Sequence, residues 1–530
     1  LGEEHFVLLS ACPTPTANAK FRAWLRGKYG MLDRLNAIWG SKVATWDEIS
    51  MMTPEIVDML KIQFDVGRFE NRRFMEHLFA DRHAYLADYL RKATASGTDA
   101  PAHTGIHAGW DLWMGRGYDY WLLSRAMEDM MCYGGPHNHY ARSFFDRYYG
   151  SHYHYNIGSR ENVRWHPWYM LLSGAHGLSW YTDAPQIWGA TTADLQLTSD
   201  WTAAQDEFRA VADAGELLTR MQYRDDQVAI HYSQDSFQAG VSDLTWMHQR
   251  FINLCFDTGT PFRFVSYAQI EQGDLLQRRP KLLILPHSVA LSEAECQGIR
   301  DYVAAGGVVW ADVTPGTHNN FGQELEKSQL ADLCDGMETA KLETGGTVAR
   351  KAVGRGWVLL ADPGNVSYDR NVGKHLGAAE MMARVCELAG VQPVAVVTNA
   401  SDGQPANGVW TAGWSNGSVR HVAVCKDYQL ADRSPAKVVL RPAQAGHVYE
   451  MRSGKYFGRV PQVPVTLAPT RGQVFSILPY RLKGLTLSAM GAAARGQDLV
   501  LRAALQTEGA VGKGDLNVLR VRVTDPQGRE

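Results

Sequence analysis

No run of eighteen or more apolar residues occurs in the 530-residue chain, so the sequence offers no segment able to cross a bilayer as a helix. Cysteine is sparse. Its seven positions (Cys12, Cys132, Cys255, Cys296, Cys334, Cys386, Cys425) are scattered and never form a CxxC pair. That spacing excludes a zinc ribbon and a dense disulfide framework, and buried free thiols are the expectation. An excess of one charge is also lacking: 53 basic residues face 56 acidic ones, a net charge of −3, which excludes a polyanion-binding surface and nucleic acid as a partner. The chain opens on Leu1 with neither an initiator Met nor a signal-like region, so the compartment is unread, and cytoplasmic, secreted and periplasmic addresses all stay open.

Aromatic side chains are abundant instead. There are 16 Trp and 22 Tyr, and Trp110, Trp113, Trp121, Trp165, Trp168, Trp180 and Trp188 crowd the first 200 residues. Indole faces stack on the C–H faces of sugar rings, and they equally fill a large core. Hydrophobic content of 45% and charged content of 21% describe an ordinary globular protein whose length calls for three or four domains.

Residues 1–222 alternate short apolar runs with helical periods. Phe21, Trp24, Leu25, Tyr29, Leu32 and Leu35 recur at three-and-four spacing, which predicts one amphipathic helix ending near Gly40. A second long helix carries Phe69, Phe74, Leu78, Phe79, Tyr85 and Leu86 as its stripe. This rhythm predicts a parallel sheet or barrel covered by helices. Residues 223–392 restart the pattern: "QVAIHYS", "PFRFVS", "KLLILPHS" and "VVWADV" read as buried parallel strands between helices, a doubly wound α/β domain. From 393 to 481 the helical period disappears, and short strands around the turn-forming Asn416-Gly417 predict a small β-sandwich. Residues 482–530 begin a further Ig-like β domain that stops abruptly.

The stretch "FRAWLRGKYGMLDRLNAIWGSKVATWDEI" (21–49) resembles the helix after the acid/base strand of glycoside hydrolase family 42 β-galactosidases. "LLILPHSVALSEAECQGIRDYVAAGGVVWADVTPG" (282–316) is similar to the trimerisation domain of that group, and "GYDYWLLSRAMEDMMCY" and "LLSGAHGLSWYT" resemble later parts of its barrel. The likeness implies an eight-stranded (β/α) barrel of glycosidase clan A, with only its strand-four end to strand eight present in residues 1–222. The chain is then expected to be an internal piece of a longer protein. It also implies a homotrimer acting on an oligo- or polysaccharide, with no cofactor.

By the same likeness "LGEEHF" occupies the strand-four end. Glu4 takes the place of the family's acid/base, and Glu3 replaces the Asn that usually holds the sugar 2-hydroxyl. The nucleophile, expected at the end of strand seven, falls on Asp146 or on Glu161. Trp110, Tyr133 and Trp180, at the expected ends of strands five, six and eight, would line the sugar pocket. Retaining hydrolysis needs a neutral acid to protonate the departing oxygen and a second carboxylate about 5–5.5 Å away to attack the anomeric carbon. Glu3 beside Glu4 would raise the acid's pKa by charge repulsion.

His137, His139, His152 and His154 are dense in one stretch but show no helical HxxxH pattern, so hydrogen bonding or packing is expected of them and no metal. The 223–392 unit is also similar to glutamine amidotransferases. "ILPHSVA" offers no nucleophilic Cys, so a structural or assembly role is expected there. Two functions remain open: a retaining glycoside hydrolase acting on β-linked glycosides such as β-galactosides, and a carbohydrate-binding or scaffold protein with a degenerate barrel.

Overall fold

The structure is a computed structural model and describes residues 13–51, 66–95, 103–107, 118–153, 160–181, 190–239, 244–343, 347–361, 376–491 and 496–519, with Thr524 and Gln527. Helix α1 (Pro15–Tyr29) starts at Thr14, whose side chain accepts from the Ala17 amide, with Pro15 at the first helical position. The single helix expected up to Gly40 is two helices. Gly30 (φ 73°) stops α1, and α2 (Leu32–Trp39) follows, closed by Gly40 in the left-handed region. Glycine is the residue that takes positive φ without strain, so each one sets a stop that apolar periodicity does not reveal. The bend gathers Phe21, Leu25, Tyr29 and Leu35 into a small core with Phe74 and Met75 of α3 (Val66–Thr94). Within the expected α3 stripe, Phe69, Phe74 and Phe79 are buried, whereas Tyr85 is exposed.

Next come β1 (Gly105–His107), α4 (Tyr120–Ala126), β2 (Asp129–Cys132), α5 (Pro136–Phe144), β3 (Arg147–Tyr153), α6 (Arg160–Leu172), β4 (Gly177–Tyr181) and α7 (Ser199–Leu218). The four strands lie side by side in chain order, all parallel. Ile106 pairs with Met130 and Met130 with Tyr148, and this row is buried against the helices. Residues of the opposite row, among them Met131, Tyr149 and Ser179, keep part of their surface in solvent.

A seven-stranded sheet follows, in the order Glu338–Lys341, Thr347–Val353, Gly356–Leu360, Val308–Ala311, Leu282–Leu285, Val228–Tyr232, Phe262–Ser266. The last five are mutually parallel. Every residue of Val228–Tyr232, Leu282–Leu285 and Val308–Ala311 is buried. Consecutive residues go to different cores: Leu283 and Val309 lie in one, Ile284 and Trp310 in the other, which also holds Met130 and Tyr148. This sheet is therefore covered on both faces, which is why its strands read as unbroken apolar runs. Helix Glu293–Ala304 starts from a capping box between Ser292 and Glu295.

The β part pairs a six-stranded antiparallel sheet with a three-stranded one around Val397, Val422, Leu440 and Phe475. Its hairpin of Val409–Asn416 and Val419–Lys426 turns at Gly417 (φ 55°), as Asn-Gly predicts. Gln222–Tyr223 joins the six-stranded sheet as an edge strand. Glu207 of α7 adds a polar tie. Its fully buried carboxylate accepts from Trp168 Nε1 (2.8 Å), Arg452 Nη1 (2.9 Å) and Arg164 Nη2 (3.2 Å), and Arg471 Nε lies 2.9 Å away. Arg481–Ala489 and Leu501–Glu508 form a separate two-stranded ribbon.

Candidate active site

In parallel (β/α) sheets the chemistry gathers at the C-terminal strand ends. In β1 to β4 those ends are His107, Cys132, Tyr153 and Tyr181. Tyr133 follows Cys132 directly and is partly exposed, and the chain then turns through Gly134 (φ 126°) and Gly135 (φ 64°) into α5. The Gly135 amide donates to Tyr169 Oη (2.8 Å), which fixes the turn against α6. Glu3, Glu4 and Trp110 lie outside the described residues.

Two sequence expectations change. Trp180 packs on the helix side of β4. Its ring packs 5.5 Å from His166 of α6 and 5.0 Å from Trp201 of α7, so the strand's alternation directs it toward the helix layer. Asp146 stands in the bend before β3, exposed, and its charge helps raise the pKa of Asp129, the first residue of β2, whose main cause is burial. Asp146 thus sits at the N-terminal end of the sheet, opposite to where a barrel does its chemistry. Counting residues back from Ala175 found a carboxylate but not the strand end.

Glu161 lies in the first turn of α6, which places it beyond the C-terminal end of β3. It is exposed, and its charge contributes to the raised pKa of Tyr428, which burial mainly causes. From Arg147 through Arg160 the sequence has no Asp or Glu. His137 and His139 serve packing. His137 Nδ1 is 2.9 Å from Tyr120 Oη, and His139 sits between Phe256 and Phe262, where burial holds its pKa well below the usual histidine range. Among the described residues no group of three or more His, Cys, Asp or Glu side chains is placed to hold a metal ion.

The periodicity analysis overlooked a buried ionic cluster. Arg73 of α3 reaches Glu76, Asp119 Oδ2 (3.1 Å) and Asp235 Oδ1 (3.1 Å). Gln234 and Gln238 donate to Glu76, and Tyr267 Oη donates to Asp119 Oδ2 (2.8 Å). Burial pushes Glu76 up to about 7 and Asp235 up to about 6. The signal was there in the helix: Glu70, Arg73 and Glu76 follow one another at three-residue spacing, a charged face that is buried.

Gln234–Gln238 follows the strand Val228–Tyr232, at the C-terminal edge of the seven-stranded sheet where doubly wound folds bind ligands. Here α3 packs against that edge. At the neighbouring strand end His287 holds a strained backbone (φ 41°), fixed by Asp312, which accepts from the His287 amide (2.7 Å) and lies 2.6 Å from Nδ1. Ser288, His231 and Glu295 form a chain of contacts of 2.9 and 3.1 Å but are buried to within 1%. A substrate has no access to them.

A parallel row of β/α units, then a doubly wound sheet, then a sandwich is the order of the parts. The sequence profile of glycoside hydrolase family 42, described as beta-galactosidase, matches residues 2–131. No curated protein sequence matches the chain. Among solved structures, the β-galactosidase of Bacillus circulans sp. alkalophilus superposes with a TM-score of 0.68 at 13% identity, over 88% of this chain and 77% of that one. The β-galactosidase of Halorubrum lacusprofundi gives 0.62 at 14% identity, over 88% and 76%. The family 42 exo-carrageenase of Bacteroides ovatus gives 0.63 at 13%, over 90% and 65%. Residues 2–131 are thus similar to glycoside hydrolase family 42, and the chain shares the fold of solved family 42 β-galactosidases.

Proposed function

We propose that this enzyme is a retaining β-glycosidase with β-galactosides as its first substrate class, and that Glu4 is its general acid/base. The observation that carries the reading is the family match, which spans Glu4 and continues through α1, α2 and α3 behind it. In this reading Glu4 protonates the glycosidic oxygen as the bond breaks, then removes a proton from the water that releases the sugar. Glu161 is the partner carboxylate in preference to Asp146, because it follows β3 on the C-terminal side. Tyr133, just past β2, is a sugar contact. Assembly as a trimer belongs to the same proposal, with light scattering as its check.

The test is hydrolysis of aryl β-glycosides by the wild type, Glu4→Gln and Glu161→Gln. Loss of a general acid costs about 10²–10⁴-fold on a poor leaving group. It costs far less on a dinitrophenyl glycoside, whose departing oxygen needs no proton. Unchanged turnover in Glu4→Gln rejects the assignment. A second reading, a sugar-binding barrel without turnover, is favoured by the absence of any carboxylate from Arg147 through Arg160. Saccharide binding by a folded chain that hydrolyses no glycoside of the panel would establish it.

A further inference from the structure

The helix Leu244–Asp257 of the α/β unit carries Trp246 in its first turn. It is the only exposed tryptophan among the described residues, at 68%, and its ring stacks on no other described side chain. An indole left in water adds little to stability. Its flat apolar face and its N–H donor stay available to a bound molecule.

The position of Trp246 follows from α5. Gln249 Oε1 stands 3.8 Å from where a side chain at Gly135 would begin, in the turn that leads from Tyr133 into α5. Further along α5, His139 packs against Phe256 (5.4 Å). The two helices therefore run the same way, both starting at the C-terminal end of β2. The side chain of Tyr140 leans back toward the start of α5 and meets His248 Nδ1 (2.5 Å), which fits that direction. Trp246 lies nearly one turn before Gln249, so it overhangs the Gly134–Gly135 turn just past Tyr133. A helical side chain also tilts toward its helix N-terminus, which carries the indole outward from the strand ends. Gln249 and Asn253 flank it on the same side of the helix. Both are partly exposed, and Gln249 Nε2 donates to Asn253 Oδ1 (2.8 Å). A flat apolar face beside amide groups suits a sugar ring, whose C–H face stacks while its hydroxyls hydrogen-bond.

We propose that Trp246 is a stacking platform for the leaving part of a β-linked saccharide, with Gln249 and Asn253 beside it for the hydroxyl groups. This rests on the glycosidase reading: the sugar that reacts lies over the ends of β1 to β4, and the remainder extends across Tyr133 to the rim where Trp246 stands. The α/β unit then takes part in the choice of substrate.

The experiment compares β-galactotriose with β-galactosyl fluoride, which has no leaving sugar to stack, in the wild type, Trp246→Ala and Trp246→Phe. Loss of one aromatic stack should lower kcat/KM on the trisaccharide about five- to tenfold in Trp246→Ala, mostly through KM, and leave the fluoride within about twofold. Trp246→Phe, which keeps an aromatic face, should recover most of the loss. An equal change on both substrates, or none on the trisaccharide in Trp246→Ala, overturns the proposal. Light scattering that shows a changed assembly in Trp246→Ala with unchanged kinetics assigns the indole to a subunit contact and also overturns it. If the wild type hydrolyses neither substrate, the glycosidase reading falls, and titration calorimetry with the trisaccharide decides. An affinity weakened about fivefold in Trp246→Ala keeps the sugar contact; no binding, or equal binding by both proteins, ends it.

Discussion

The molecule contains two parallel sheets that read alike in secondary structure and differ in how they are packed. In the seven-stranded sheet Leu283 and Ile284 are both buried, each in a different core. In the four-stranded sheet Met130 is fully buried among the helices while Ser179, on the other row, is exposed. The first is a frame closed on both faces. Among the described residues the second leaves its other row partly open to solvent, and barrel chemistry uses the C-terminal ends of such strands. Parallel pairing alone therefore does not locate a site; what decides is which face the helices leave uncovered.

The largest effect should come from the tie between the layers. Glu207→Ala leaves Arg164, Arg452 and Arg471 clustered without their shared carboxylate and should cost about 3–5 kcal/mol. A denaturant midpoint within error of the wild type would show that α6 and α7 stay seated without it.

The comparison itself is tested by adjacent substitutions. Leu283→Ala and Ile284→Ala should each cost about 2–5 kcal/mol, because both side chains leave cavities in closed cores. In the other sheet Met130→Ala should cost a similar amount, but Ser179→Ala should stay within about 0.5 kcal/mol. Equal costs at Met130 and Ser179 would break the distinction.

The smallest effect is one of slope. Burial raises Glu76 from 4.5 to about 7 and Asp235 from 3.8 to about 6, so the folded state keeps protons that the unfolded chain releases. The stabilisation is complete below the unfolded values and is lost as pH rises through 6 to 7. Glu76→Gln should flatten that decline in thermal midpoints. An unaltered profile would mean the cluster where α3 meets the seven-stranded sheet is not what titrates.

Much of this was legible in the chain. Unbroken apolar runs such as "LLIL" announced two-sided burial, and Asn416-Gly417 announced a hairpin. The family likeness came from "FRAWLRGKYGMLDRLNAIWG", whose glycines at 30 and 40 turned out to cap two helices rather than one. The site was less legible. Trp180 packs against His166 and Trp201 on the helix side of β4, and Asp146 precedes β3 instead of following it. The buried charges of α3 fell between the apolar positions that the periodicity reading followed.

By itself the sequence determined the order of the parts and the strands covered on both faces, because local propensity and burial write a period into the chain. Only the tertiary structure decided that Glu76 and Asp235 share Arg73. Electrostatic and hydrogen-bonding sites depend on which residues distant in sequence come within a few ångströms, and no local pattern encodes that distance.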